Sequence, residues 1–325
     1  LLYLILALVI KLVGIRKVMR FLPPVVTGPI IICIGLSLAP SAVTNASTNW
    51  LLALIALSVI IVFNIWGKGM FRIIPILLGV VISYAAALIM NACGLTNPDG
   101  AAILNFSNVA AASVVGLPPF EFCKFDLTAI LVMAPIALAT MMEHIGDMSA
   151  ISATVGENFI ENPGLHRTLI GDGLATSFSA IVGGPANTTY GENTGVLELS
   201  KVYDPKVIRL AAIYAIILSF LPKFSEIISS LPSAIIGGVS FMLYGMISAI
   251  GVRNVVENHV DFTKSRNLII AAVILVSGLG FSSGLTFTVG TTSITLTGLA
   301  IAAIAGILLN AILPGKDYTF RDDPS

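Results

Sequence analysis

Glu143 and Asp147 stand four residues apart in MMEHIGD, late in an apolar run that begins at Leu127. On a helix they share one face, with Gly146 between them, while His144 projects about 100° away. Carboxylates within a membrane helix are costly, and they persist where they face protein or water and bind a ligand or carry protons. A third carboxylate, Glu192, lies in GGPANTTYGENTGVLELSKVY, residues 183–203. There Gly183, Gly184 and Pro185 end a helix, because proline lacks an N–H and glycine loosens the backbone. Asn187, Thr188, Thr189 and Tyr190 then favour extended chain, and Gly191 allows another group to come close. Non-helical backbone at membrane depth is tolerated only against protein or a wet cavity. Together the two stretches predict one polar site within the membrane. The plainer readings are a Glu143 at the membrane interface and a Glu192 held by the N–H of a neighbouring turn.

The elements that must carry these residues follow from composition. Hydrophobic residues make up 56% and charged residues 10% of the chain, and the mean hydropathy is +0.98. A soluble domain is about 25% charged, so this is a polytopic membrane protein. A net charge of zero gives no sign of a nucleic-acid partner. Cys33, Cys93 and Cys123 are scattered without metal spacing and read as buried small hydrophobes. The chain opens on Leu1 with no basic leader, which reads as a truncated start and not as a signal peptide.

Eleven segments are apolar enough to be spans or parts of them: 1–13, 25–43, 51–66, 73–90, 127–153, 168–182, the interrupted 183–203, 207–221, 233–252, 267–281 and 294–313. If the loop after the first is cytoplasmic, alternation puts 15 of the 17 Lys and Arg residues on that side, and only Lys124 and Lys223 on the other. The excess of basic residues in cytoplasmic loops then also sets the C-terminus in the cytoplasm. FLPPVVTG at 21–28 and SLPSAIIG at 230–237 share Leu, Pro and Gly at an offset of 209, and the alternation makes them enter the membrane from opposite sides. That is the pattern of an inverted repeat, with about three helices missing from the front. His166 and His259 are expected in solvated loops, Asp172 as a helix cap near the cytoplasmic end in preference to a place in a polar network, and Glu198 as a core contact.

ENTGVLELSK at 192–201 resembles the signature of the nucleobase-ascorbate (nucleobase:cation symporter 2) transporters, with Ser200 in place of its Thr. NTTYGEN, EHIG at 143–146 and NPGLHR at 162–167 resemble the uracil permease branch more closely. The resemblance covers the whole chain from that family's fourth helix onward. It implies an all-α fold of 14 helices in two inverted repeats of seven, with a core domain, a gate domain and a short extended segment in a broken helix. Residues 1–126 would then be the rest of a truncated first repeat, 127–222 the core helices of the second repeat with the substrate site, and 223–325 its gate helices and tail.

The function implied is proton-coupled uptake of uracil or a related base, in which Glu143, Gly191, Glu192, Tyr190 and Asn193 bind substrate and Glu143, Asp147 and His144 handle the proton. Uracil alternates N–H donors and C=O acceptors along one edge, which carboxylates and backbone amides complement. Uracil permeases usually carry His where Asp147 stands, and Asp is more like the xanthine and urate branch. The expected partners are a nucleobase, the lipid bilayer and, if the gate helices pair, a second copy of the chain; no cofactor beyond the coupling proton and no metal is expected. A sulfate-type carrier would want Lys or Arg near the site, and a passive channel would need no titratable pair. An enzyme is not expected, since the HExxH of a metalloprotease does not occur.

Overall fold

Why the helices form where they do is visible at their ends. A computed structural model describes residues 1–289 and 292–315, apart from the side chains of Ala153, Glu192, Glu198, Leu199, Thr288, Val289, Thr292, Ser293 and Ile294. The order is α1 (Leu2–Val13), α2 (Ile15–Met19), α3 (Pro24–Ser47), α4 (Trp50–Trp66), α5 (Met70–Ile73), α6 (Pro75–Ala92), α7 (Ser107–Ala111) and α8 (Leu127–Val155). A wide turn, Ile160–Gly164, leads to α9 (Leu165–Ile181), α10 (Glu192–Ser200), α11 (Pro205–Ser219), α12 (Pro222–Ser229), α13 (Ser233–Glu257) and α14 (Ser265–Gly280). Strands β1 (Leu285–Val289) and β2 (Thr292–Leu296) pair antiparallel before α15 (Gly298–Ile312). Proline opens α3, α6, α11 and α12, where its missing N–H costs nothing. Asp126, Asp204 and Thr297 cap α8, α11 and α15 with side-chain oxygens that accept a free N–H of the first turn.

One compact unit comprises Leu1–Ser37, Glu121–Thr194 and the described residues from Met246 on. Within it α1 packs along α9, α14 along α15, and both α15 and β2 against α8. Its core includes Ile30, Met142, Ile145, Leu169, Ile270 and Ile274. The first turns of α3 and the last turns of α13 cross closely: a Cβ on Gly251 would stand 2.7 Å from the Ile32 N and 2.8 Å from the Gly28 carbonyl oxygen. Lipid offers no hydrophobic gain for helix association, so close backbone approach at small residues supplies it through packing. In the loop after α13, the Thr263 hydroxyl and N–H donate to Asp261 Oδ1 at 2.6 and 2.9 Å and hold that carboxyl below the usual carboxylate range.

The other unit comprises Leu38–Phe120 and Gly195–Gly245. Here α4 lies along α6 and α7 against α12, over a core that includes Leu52, Ile60, Ala87 and Ile235. Asn49 caps α4 by accepting the Leu52 N–H, and its amide donates to Asn97 Oδ1 at 3.2 Å.

The protein is an all-α polytopic membrane protein apart from the short hairpin. Each of the eleven predicted segments holds a helix, but they differ in length from the expectation. Among the described residues α3, α6, α8 and α13 alone are both long and apolar enough to cross a bilayer, and α11 with α12, bent by 94° at their break, would make a fifth span. The apolar α1, α4, α14 and α15 have 12 to 17 residues. At 1.5 Å per residue they rise about 18 to 26 Å, short of a core of about 30 Å. The segment 294–313 was expected to be helical throughout, yet its first residues belong to β2. Thr286, Thr288, Thr292 and Thr295 are β-branched and favour a pleated ladder there. Cys33 is buried as expected, whereas Cys93 and Cys123 are exposed in the connection between α6 and α8. His166 is half-buried in the first turn of α9 and not in a loop, while His259 is exposed. Lys316 and Arg321 of the basic-residue pattern lie outside the described residues.

Candidate functional site

α8 carries the centre of the site. Its 29 residues rise about 43 Å, and Glu143 stands about 24 Å from its start. At only 9% exposure its carboxyl lies against other parts of the protein. Asp147 is 5% exposed one turn further on.

The broken stretch meets α8 at this level. α9 ends at Ile181, and Gly183 takes a left-handed φ of 86° that a side chain would resist. Residues 184–190 then run without helix or ladder, so their carbonyls need other partners. Hydroxyls on α9 supply them: Ser179 donates to the Pro185 carbonyl at 2.8 Å and Thr176 to the Asn187 carbonyl at 2.9 Å. The chain re-enters a helix at Glu192, and Gly191, just before it, lies on Asp147. A Cβ at Gly191 would stand 2.6 Å from Asp147 Oδ1 and 3.0 Å from its Cγ. The Asp147 carboxylate therefore sits at the start of α10, where exposed N–H groups and the helix dipole favour an anion.

Glu143, Asp147 and Gly191 line a single cleft whose remaining walls are Ile31 of α3 and Ile247 and Ile250 of α13. Two carboxylates on one side and three branched apolar side chains on the other suit a flat ring that has N–H groups on its edge and apolar faces. As it stands the cleft offers about 10 Å³, roughly the minimum for one water. A ring would have to part its walls.

His144 belongs to a different cluster. Its Nε2 lies 2.9 Å from the Thr168 hydroxyl, which itself donates to the Leu165 carbonyl, so the ring N–H is the donor in that contact. Its Nδ1 lies 2.6 Å from Thr189 Oγ1 and 3.2 Å from Asp172 Oδ2, and Thr189 also reaches Asp172 at 3.1 Å. The Tyr3 ring meets the imidazole edge-on at 6.1 Å between centroids. This network ties α8, α9 and the extended residues before α10 together. Asp172 therefore does not cap α9: it lies in the middle of the helix and points into the network.

Of the residues singled out from sequence, Glu143, Asp147 and Gly191 come together. His144 faces the other cluster, Tyr190 is 51% exposed and Asn193 is exposed, and neither of these two lines the cleft. The Glu192 and Glu198 side chains lie outside the described residues; Glu192 is placed only as the first residue of α10. Ile31, Ile247 and Ile250 were missed, and nothing distinguishes them in sequence from other span isoleucines. Thr168 and Asp172 did leave a signal, two polar residues four apart on one helix. Among the described residues no group of three His, Cys, Asp or Glu could hold a metal ion.

The chain matches the group described as Permease family over residues 1–287. It is 42% identical to the uracil permease of Bacillus caldolyticus, over 97% of this chain and 73% of that protein. It is 40% identical to the uracil permease of Bacillus subtilis, with the same coverage. To a putative pyrimidine permease of Escherichia coli it is 38% identical, over 97% of this chain and 70% of that protein.

Proposed function

Because the chain belongs to the permease family, whose members of this kind are transporters and not enzymes, we propose that it carries uracil or a closely related nucleobase across the cytoplasmic membrane together with a proton. The observation that carries this reading is the pair Glu143 and Asp147, buried on one face of α8 beside the Gly191 backbone and opposite three isoleucines. A nucleobase brings N–H donors to the carboxylates and sets its faces against Ile31, Ile247 and Ile250. Each carboxylate accepts without needing a hydroxyl rotor, and charge-assisted bonds of this kind are about twice as strong as neutral ones. Glu143 is the coupling group: a carboxyl there holds a proton or gives it up as the cleft's access to water changes. The names of the relatives support uracil. Asp147 favours, as a second reading, a purine such as xanthine or urate, whose additional ring N–H would meet a second carboxylate.

The C-terminus is on the cytoplasmic side, on the strength of the basic-residue alternation. The inverted-repeat reading gains support from two contacts. In one unit a Cβ on Gly28 would meet the Val255 side chain, and in the other a Cβ on Gly237 would meet Ala46. Gly28 and Gly237 differ by 209 in number, and so do Ala46 and Val255, the offset of the sequence repeat.

Uptake of labelled uracil in cells expressing the gene, competed by xanthine, urate and thymine, tests the substrate. Replacing Glu143 by Gln is expected to abolish accumulation driven by a proton gradient. Uptake by the E143Q variant that persists with an unchanged pH profile would sink the coupling role.

A further inference from the structure

Apart from the carboxylate site, a larger cleft lies where α3 and α14 begin and α15 nears its end. It offers about 110 Å³, room for several waters at roughly 10–15 Å³ each. Arg20, Lys264 and Arg266 line it, together with Asn258, Asn267 and Asn310. Asp261 is the one carboxylate among its lining residues, and Asp261 Oδ1 already accepts the Thr263 N–H and hydroxyl. Three cations against one carboxylate leave two positive charges in excess.

Part of this wall is braced and part is not. Arg266 Nη2 donates to the Asn310 carbonyl at 2.9 Å and to Asn310 Oδ1 at 2.8 Å, and the Asn310 amide donates to the Arg20 carbonyl at 2.9 Å. The Asn267 amide donates to the Asp261 carbonyl at 2.9 Å. Asn267 and Asn310 are buried, so these bonds hold the frame. Arg20 and Lys264 are exposed, and the Arg20 guanidinium has no partner among the described residues. No side chain caps α14, so the free N–H groups of its first turn add to a positive field. The charge is particular to this cleft. At the repeat offset of 209, Arg20, Pro23 and Pro24 correspond to Ser229, Pro232 and Ser233, which line a cleft in the other unit. Among the lining residues of that second cleft are Asp99 and Glu226 but no Lys or Arg.

We propose that the basic cleft binds the phosphate group of a soluble phosphate ester, with Arg20 and Lys264 bonding its oxygens and Arg266, held by Asn310, supplying a fixed charge. A guanidinium and an ammonium both suit phosphate oxygens, the first as a planar fork and the second as a point charge. A lipid headgroup shares that chemistry but brings acyl chains, which need an apolar groove beside it. The apolar residues lining this cleft offer none: Pro23, Pro24 and Val25 are buried and Val260 is half-buried. By the basic-residue alternation the cleft is on the cytoplasmic side. The proposal stands apart from the nucleobase reading, whichever base is carried.

The test is calorimetric titration of the purified protein, in uncharged detergent, with ribose 5-phosphate, inorganic phosphate and ribose, probes that carry no base. Both phosphates are expected to bind and ribose is not. Arg20→Ala combined with Lys264→Ala is expected to weaken ribose 5-phosphate binding at least about tenfold, since each removes a charge-assisted bond. Lys68→Ala, at a basic residue outside the cleft, is expected to leave it within about twofold. If the double variant does not fold, Arg20→Gln alone, at an exposed side chain, carries the same comparison. Ribose 5-phosphate binding no tighter than ribose, or an equal loss in the K68A variant, overturns the site. Displacement of ribose 5-phosphate by an equal concentration of phosphatidylglycerol would put a lipid in the cleft and overturn the soluble ester.

Discussion

Residues 143 and 144 are neighbours on one helix, yet they serve opposite ends. Glu143 faces a cleft walled by isoleucines and the Gly191 backbone, whereas His144, 3% exposed, is enclosed by Thr168, Thr189, Asp172 and the Tyr3 ring. Both are buried and polar. What separates them is whether the space beside them is filled by other parts of the chain or left for something else. Polar groups on the filled side fix where α8, α9 and the extended segment sit. Those on the cleft side are, in the proposed function, the ones that meet the ligand. A helix with 100° between successive residues can do both at once.

Substitutions on the two faces of α8 should therefore have different consequences. Glu143→Gln carries the largest expected effect, complete loss of proton-driven accumulation, because it removes a charge on the cleft side. Gly191→Ala follows. Its Cβ must displace Asp147 or the start of α10, and misplacement on the order of 1 Å at a binding geometry costs about a hundredfold in rate. Uracil flux in a variant that still reaches the membrane measures it, and flux near that of the parent would mean that Asp147 does not belong to the site. Asp172→Asn acts on the filled side. It weakens bonds to His144 and Thr189, each worth about 1.5–3 kcal/mol when one partner is charged, although interhelical bonds in membranes average only about 0.6. A loss of about 2 kcal/mol is expected, read as a lower melting temperature in detergent with apparent substrate affinity unchanged. If Asp172→Asn instead stopped transport at full thermal stability, the two faces of α8 would form one machine and the distinction would fall. Asn49→Ala, far away in sequence and in the other unit, should cost about 1 kcal/mol for the lost α4 cap and leave flux per molecule unaltered.

The sequence made much of the site legible for reasons local to it. The helical spacing of Glu143 and Asp147 set them on one face, and the Gly-Gly-Pro run announced the break after α9. Hydroxyls that hold the broken segment open, Thr176 and Ser179, gave no such notice, since serine and threonine within a helix more often bond to their own preceding turn. Asp172 was misread because a lone carboxylate near a basic loop looks like a cap until its distance from the helix ends is known. Tyr190 and Asn193 adjoin Gly191 in sequence but do not line the cleft, because one residue of extended chain or one step of helix turns a side chain to a different face.

By itself the sequence determined that the chain lives in a membrane, roughly where its helices run, that Glu143 and Asp147 share a helix face, and to which family it belongs. Those features depend on hydropathy, on the helical period and on short motifs, all read within a few residues. Only the tertiary structure decided that Asp147 rests on Gly191, that His144 turns instead to Asp172 and Thr189, and that Ile31 and Ile247 line one cleft with the carboxylates. In lipid an isoleucine is equally content on every face of a span, so no hydropathy pattern names its partner; close packing between particular helices does.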